Sequence, residues 1–135
     1  MRADWRKAII EGDGTLIGRL LEEGIDVDCR DRYGQTGLML AATHGRDDVL
    51  RLLLNNGADM DVTAKYGLSA LMLAVINRHS GIAKQLVDAG ANTQLVGSGA
   101  PGFAGKTAHA LSEHGGLAEL AGYLARAEQA GPGTK

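Results

Sequence analysis

One stretch of this 135-residue sequence comes close to a phosphate-binding motif. Residues 100–107 read Ala-Pro-Gly-Phe-Ala-Gly-Lys-Thr, whereas the G-x-x-x-x-G-K-[ST] loop requires glycine at the position of Ala100. That loop also joins a strand to a helix of a parallel sheet, and the surrounding pattern indicates no such sheet. Nucleotide binding through Gly105, Lys106 and Thr107 is therefore the least favoured function.

The histidines and the single cysteine offer little for metal or acid–base chemistry. No two of His44, His79, His109 and His114 lie four residues apart on one helix with an acidic third ligand. His109 is interpreted as structural, and Cys29 has no partner for an internal disulfide. We expect no catalytic residues, no metal and no cofactor, and therefore no enzyme.

The charge pattern argues against nucleic acid and membrane partners. Fourteen Lys and Arg residues against sixteen Asp and Glu residues give a net charge of −2, with both signs scattered along the chain. A nucleic acid or an anionic membrane would select a basic stripe, which is not present. The twelve uncharged residues 66–77 are too few to span a bilayer, and residues 1–7 do not open an apolar leader. A cytoplasmic location is expected.

The dominant feature of the sequence is an internal repeat with a period of 33 residues. Residues 31–42 align with 64–75 at a Tyr-Gly pair and at a Leu-Met-Leu-Ala run, and the segments after them align as well. An offset of 33 also places a third copy before residue 31. A fourth copy requires an offset of 38, because five residues are inserted within 97–103.

Each unit reads as a turn, a short helix, a second turn and a second helix. Leu38, Ala41 and Ala42 give the first helix one narrow apolar face, and Val49 and Leu53 give the second helix a wider one. Glycine after each second helix is expected to end it with a positive φ. Because one unit cannot bury its apolar face alone, the units are expected to stack. The predicted columns are Trp5–Leu38–Leu71, Leu20–Leu53–Leu86–Leu124 and Leu16–Val49–Ile82–Leu120.

These residues identify a resemblance to the ankyrin repeat, carried by segments 34–42 and 52–59. Gly37 and Ala70 depart from the family's proline, and Met39 and Met72 depart from its histidine. The resemblance implies an all-α solenoid of paired antiparallel helices with hairpin-like turns, which we call fingers, between the repeats. The domain is predicted over 1–127, in units of about 1–30, 31–63, 64–96 and 97–127, followed by a flexible tail at 128–135.

The resemblance also implies that another protein binds on a concave surface formed by the finger tips and the exposed sides of the first helices. The tyrosines at the finger tips have two readings, as contacts for a partner or as packing between fingers. Leu68 and Ile76 are expected to be exposed there, and Phe103 ends a mobile loop. The predicted binding residues are Arg32, Tyr33, Gln35, Thr43, His44, Lys65, Tyr66, Leu68, Ile76, Asn77 and Phe103.

The sequence therefore predicts a protein–protein interaction module or adaptor, expected to be a monomer. Its mechanism is the presentation of a rigid surface on which aromatic side chains offer large contact areas with few rotatable bonds. The alternative from another class is a structural subunit that associates with itself through its end units.

Overall fold

The computed structural model describes residues 1–99 and 102–130. Within those residues the regular structure is helical, and pairing between extended segments is limited to two isolated bridges, Arg30 with Thr36 and Gly97 with Ala104. The all-α prediction is confirmed. The helices are α1 (Ala3–Glu11), α2 (Gly14–Glu22), α3 (Gly37–His44), α4 (Asp47–Asn55), α5 (Ala70–Ile76), α6 (Ser80–Asp88), α7 (Ala108–His114) and α8 (Ala118–Ala130).

In three of the four units, the first helix begins in the same way. The side-chain hydroxyls of Thr36, Ser69 and Thr107 accept the backbone N–H three residues further on, at 3.3, 3.3 and 3.2 Å. This N-cap satisfies one of the donors that a helix start leaves unpaired. The repeated Thr or Ser thus sets the start of α3, α5 and α7, and with it the register of each unit.

The helices form two layers. The inner helices α1, α3, α5 and α7 pack on one another in order, and so do the outer helices α2, α4, α6 and α8. The predicted columns form the core, with Leu53 and Leu86 fully buried at 0% exposure and Leu16 the half-buried exception. Burial of one such side chain stabilises the fold by about 1.5–3 kcal/mol.

Gly37 shows why the first departure from the family pattern is tolerated. A Cβ at this position would lie 2.6 Å from Cδ1 of Ile9 and 3.3 Å from Nε1 of Trp5. Trp5 is completely buried and fills the space beside the start of α3. A side chain at position 37, that of proline included, would therefore collide with Ile9 first and then press on the Trp5 indole.

Successive fingers are joined by backbone hydrogen bonds. The second finger is residues 31–34, the third is 64–67 and the fourth is 97–106. The N–H of Lys65 donates to the carbonyl of Tyr33 at 3.4 Å, and the N–H of Ser98 donates to the carbonyl of Tyr66 at 2.7 Å. The three fingers therefore form one connected row.

The last helix extends beyond the predicted domain boundary. α8 ends at Ala130 and so includes residues 128–130 of the predicted tail. A contact of 3.2 Å between Nδ1 of His109 and Oε2 of Glu128 holds this last turn against α7. Residues 131–135 of the predicted tail, and residues 100–101 of the predicted mobile loop, lie outside the described residues. No helix in the described part is long and apolar enough to cross a membrane.

Candidate functional site

The second finger is a tight turn organised by one carboxylate. Oδ1 of Asp31 accepts the N–H groups of Tyr33 and Gln35, both at 2.9 Å, and the N–H of Gly34 donates to the Asp31 carbonyl at 3.0 Å. Gly34 takes the positive φ, 78°, that closes the turn. Arg32 and Tyr33 are left at the tip, and Tyr33 is 53% exposed.

The third finger has the same Tyr-Gly pair but no such carboxylate, because Ala64 replaces Asp31. Its turn closes through the N–H of Gly67 and the carbonyl of Ala64 at 3.0 Å, and residues Lys65–Gly67 form a single 3₁₀ turn. Tyr66 has φ 65° and ψ 20°, the left-handed region that a side chain with a Cβ seldom adopts. Backbone strain is thus stored at the tip of this finger.

Both tyrosines carry a cation on the ring. The Arg32 guanidinium lies 5.2 Å from the ring centre of Tyr33, and the Lys65 ammonium lies 5.0 Å from that of Tyr66. Both distances fall within the range of a cation–π interaction. The ring of Phe103 lies 6.1 Å from that of Tyr66, tilted by 45°. Tyr66 therefore packs on the fourth finger while remaining 39% exposed.

A cleft of about 200 Å³ lies between the second and third fingers. Leu68 and Leu73 are each only 8% exposed, and they give the cleft apolar lining deep in the surface. The expectation that Leu68 is exposed is wrong, because Leu68 directly precedes the N-cap of α5 and packs into the hydrophobic core. The lining residues are Tyr33, Gln35, Ala64, Lys65, Tyr66, Leu68 and Leu73.

The inner helices extend this surface. Ile76 is 36% exposed at the end of α5, three residues after Leu73 and so on nearly the same helical face. Asn77 is exposed as predicted, but its side-chain amide donates to the Leu73 carbonyl at 2.8 Å. Thr43 is half-buried, with a hydroxyl oxygen that has no hydrogen-bond partner among the described residues.

His44 is exposed at the end of α3. Partial burial of the ring, and then the nearby cations Arg46 and Arg6, lower the pKa of His44 from its ordinary value. The imidazole is therefore predominantly neutral at pH 7 and adds no charge to the surface.

The structure brings together only part of the predicted set. Tyr33, Gln35, Lys65, Tyr66 and Leu68 line one cleft, with Arg32 and Phe103 in contact with its tyrosines. The remaining predicted residues lie on α3, on α5 or directly after α5, and they do not line that cleft. They are Thr43, His44, Ile76 and Asn77.

Three residues of this site were missed from the sequence. Leu73 gives no signal of its own, because its counterpart in the second unit, Leu40, is almost fully buried. Asp31 carries a readable signal, since Asp before a turn commonly accepts N–H groups two residues on. Its replacement by Ala64 is visible in the repeat alignment and marks the finger that lacks this support.

Thr107 and His109 take part in structural contacts. The Thr107 hydroxyl caps α7 by accepting the N–H of Ala110 at 3.2 Å. His109 lies between Glu128 and Glu113, at 3.2 and 3.7 Å, with a different ring nitrogen facing each carboxylate. Partial burial raises the pKa of the Cys29 thiol, which disfavours the reactive thiolate.

Among residues 1–99 and 102–130, no group of three potential ligands is placed to hold a metal ion. A shallow hollow of about 610 Å³ lies on the last helix pair and is lined mainly by alanine and glycine beside His109 and Glu113. Its two ionisable side chains, His109 and Glu113, already contact each other, and its other lining residues are alanine and glycine.

Comparison with known proteins agrees with this architecture. The family model for ankyrin repeats, in three copies, matches residues 6–96. Ankyrin repeat domain-containing protein 46 of Rattus norvegicus is 50% identical over 46 residues, which are 34% of this chain and 20% of that protein. The ankyrin repeat, SAM and basic leucine zipper domain-containing protein 1 of Oryctolagus cuniculus is 44% identical over 48 residues, 36% of this chain and 10% of that protein.

This chain thus matches a fifth or less of the length of these two relatives. The family model, by contrast, covers well over half of the chain and coincides with the first three stacked helix pairs. The chain therefore belongs to the ankyrin repeat family.

Proposed function

We propose that this chain is an adaptor that binds a partner protein on the surface formed by its fingers and inner helices. Ankyrin repeats are in general protein-interaction modules, and the fold is a non-enzymatic one. Aromatic and basic side chains at the finger tips supply the anchors, and the connected row of fingers holds them in fixed positions. A rigid surface of this kind binds without the cost of ordering a loop.

One observation carries this proposal. In the described part of the chain, the large apolar side chains that remain exposed are Tyr33, Tyr66, Ile76 and Val96. Tyr33 and Tyr66 lie on the fingers, Ile76 lies on inner helix α5, and Val96 directly precedes the fourth finger, whereas none of the four lies on the outer helices. Exposed apolar side chains grouped on one side of a molecule mark a surface for interaction.

The test is a quantitative pull-down from cells that produce the protein. The bait is compared with a variant in which Arg32, Tyr33, Lys65 and Tyr66 are replaced by alanine. The matched control replaces four exposed outer-helix residues, Arg19, Glu22, Arg51 and Asn55, by alanine. A partner retained by the wild type and the control but lost by the finger variant supports the proposal, provided that circular dichroism shows all three folded. Equal retention by all three baits contradicts it.

Self-association through the end units is the alternative predicted from the sequence. Light scattering at two protein concentrations separates it from the proposed adaptor. We expect a mass near 14.1 kDa at both concentrations. A mass that doubles with concentration would favour the structural subunit.

A further inference from the structure

We propose that the cleft between the second and third fingers receives one apolar side chain from an acidic, extended segment of the partner. The proposal rests on the proposed function and specifies the chemistry of the partner at that site. Its basis is the juxtaposition of an apolar cleft, two tyrosines and two cations that lack carboxylate partners.

The size of the cleft favours a side chain over a small-molecule ligand. Its volume of about 200 Å³ lies below the roughly 300–1,000 Å³ of pockets that hold cofactors or drug-sized molecules. Leu68 and Leu73 line its inner part, and the tyrosine rings stand on the two fingers that bound it. This lining suits one aliphatic or aromatic side chain.

Hydrogen bonds and side-chain packing fix the two walls of the cleft. The hydrogen bond from Lys65 to Tyr33 joins its two fingers, and the Asp31 carboxylate fixes the turn that carries Tyr33. On the far side, the ring of Tyr66 lies against Phe103, and a Cβ on Gly99 would lie 3.3 Å from the Tyr66 ring. Because both walls are supported, a bound side chain meets a preformed site.

The charge around the cleft is positive. Lys65 lines it, Arg32 lies on the ring of Tyr33, and no lining residue is acidic. Among the described residues, neither cation lies within 4.0 Å of a carboxylate. The nearby carboxylate of Asp31 is occupied by two backbone N–H groups.

The inner helices beside the cleft carry no acidic residue to oppose this charge. Helices α3 and α5 contain no Asp or Glu, whereas outer helix α4 contains Asp47 and Asp48. The second and third fingers together carry two cations, Arg32 and Lys65, against the one carboxylate of Asp31, although the whole chain has a net charge of −2. Complementary charge selects partners and speeds association, so an acidic segment is favoured here over a basic one.

The experiment uses the full chain and a phage-displayed library of random twelve-residue peptides. Peptides selected on the wild type are synthesised and titrated against three variants. These are R32E/K65E, which reverses the finger charges; Y33S/Y66S, which removes the cleft walls; and R19E/R51E, which reverses two exposed outer-helix charges as a matched control. Circular dichroism and a urea melt verify that each variant is folded.

We expect selected peptides that combine Asp or Glu with one large apolar residue. Their Kd rises at least tenfold with R32E/K65E and with Y33S/Y66S, and less than twofold with R19E/R51E. Replacing the apolar residue of the peptide by Ser weakens binding at least tenfold. Raising the salt concentration also weakens binding, because the charges are exposed to solvent.

Two other outcomes overturn the inference and separate it from the proposed function. Neutral or basic peptides that respond to Y33S/Y66S but not to R32E/K65E leave the finger surface as the binding site and refute the acidic partner. Peptides that bind all three variants equally refute the finger surface as well. A library that yields no binding peptide refutes recognition of an extended segment.

Discussion

The second and third fingers carry the same cation-Tyr-Gly pattern at the same place in the repeat, yet they fold into different turns. In the second, the Asp31 carboxylate binds two N–H groups, and only Gly34 takes a positive φ. In the third, Ala64 offers no acceptor, and Tyr66 itself adopts a φ of 65°. One carboxylate thus separates the relaxed backbone under Tyr33 from the strained backbone at Tyr66.

The strained backbone of the third finger carries an exposed aromatic side chain, Tyr66. Of the non-glycine residues described, only Tyr66 and Arg78 have a positive φ. Tyr66 is held there by the hydrogen bond from Ser98, at 2.7 Å, and by its contact with Phe103. Contacts from the fourth finger therefore stabilise the turn of the third finger, as the Asp31 carboxylate stabilises the turn of the second.

The largest single loss of stability is expected from a glycine of the third finger. Gly67→Ala combines a φ of 68° with a Cβ 3.0 Å from the Val96 carbonyl oxygen, whereas Gly34→Ala brings its Cβ no closer than 3.6 Å to Ala64. We expect a loss of about 2 kcal/mol of unfolding free energy at position 67 and about 1 kcal/mol at position 34. Urea denaturation measures both, and equal losses would contradict the comparison.

Removing the carboxylate of the second finger is the next effect in size. Asp31→Ala leaves two N–H groups without their acceptor and is expected to cost about 1–2 kcal/mol. Asp31→Asn, which keeps an acceptor oxygen, is the matched control and should retain most of the stability. A loss that is as large for Asn as for Ala would show that charge rather than hydrogen bonding organises the turn.

The strain at Tyr66 is separated from its side-chain contacts by comparing Gly with Ala at the same position. At 66, the Gly variant should exceed the Ala variant in stability by about 1 kcal/mol, because only Gly adopts a positive φ freely. At 33 the order should reverse by about 0.5–1 kcal/mol, because Gly gains more freedom on unfolding. Thermal or urea unfolding measures the difference between the Gly and Ala variants. The same sign of this difference at both positions would contradict backbone strain at Tyr66.

The smallest effect is expected from transplanting the carboxylate. Ala64→Asp gives the third finger the residue that the second has, and it should stabilise the fold by roughly 0.5 kcal/mol through new acceptors for backbone N–H groups. Ala64→Leu is a control for added bulk at this half-buried position and should not stabilise. Stabilisation by both would assign the gain to burial instead.

The fold was predictable because the same core and cap residues recur in successive units. Leu53 and Leu86 recur at the period of the units, and Thr36 and Ser69 repeat as caps, so local and global signals agree. The end of α8 was not predictable from the apolar pattern, because a contact between His109 and Glu128 fixes its last turn.

The candidate site was predictable only in part. Tyr33 and Tyr66 are exposed as turn residues should be, but Leu68 is buried although its counterpart Gln35 is half-buried. Side-chain exposure at the finger base depends on packing against the inner helices, which a single repeat does not reveal. The left-handed backbone of Tyr66 depends on one missing carboxylate and on the neighbouring finger.

Photo-crosslinking tests the claim that the fingers are the binding surface. The photoreactive amino acid p-benzoylphenylalanine is placed singly at Tyr33, at Tyr66, and at the outer-helix positions Arg19 and Arg51, and the protein is irradiated in cells that produce it. We predict one crosslinked partner shared by positions 33 and 66 and absent from 19 and 51. Crosslinks formed only from the outer helices would contradict the claim.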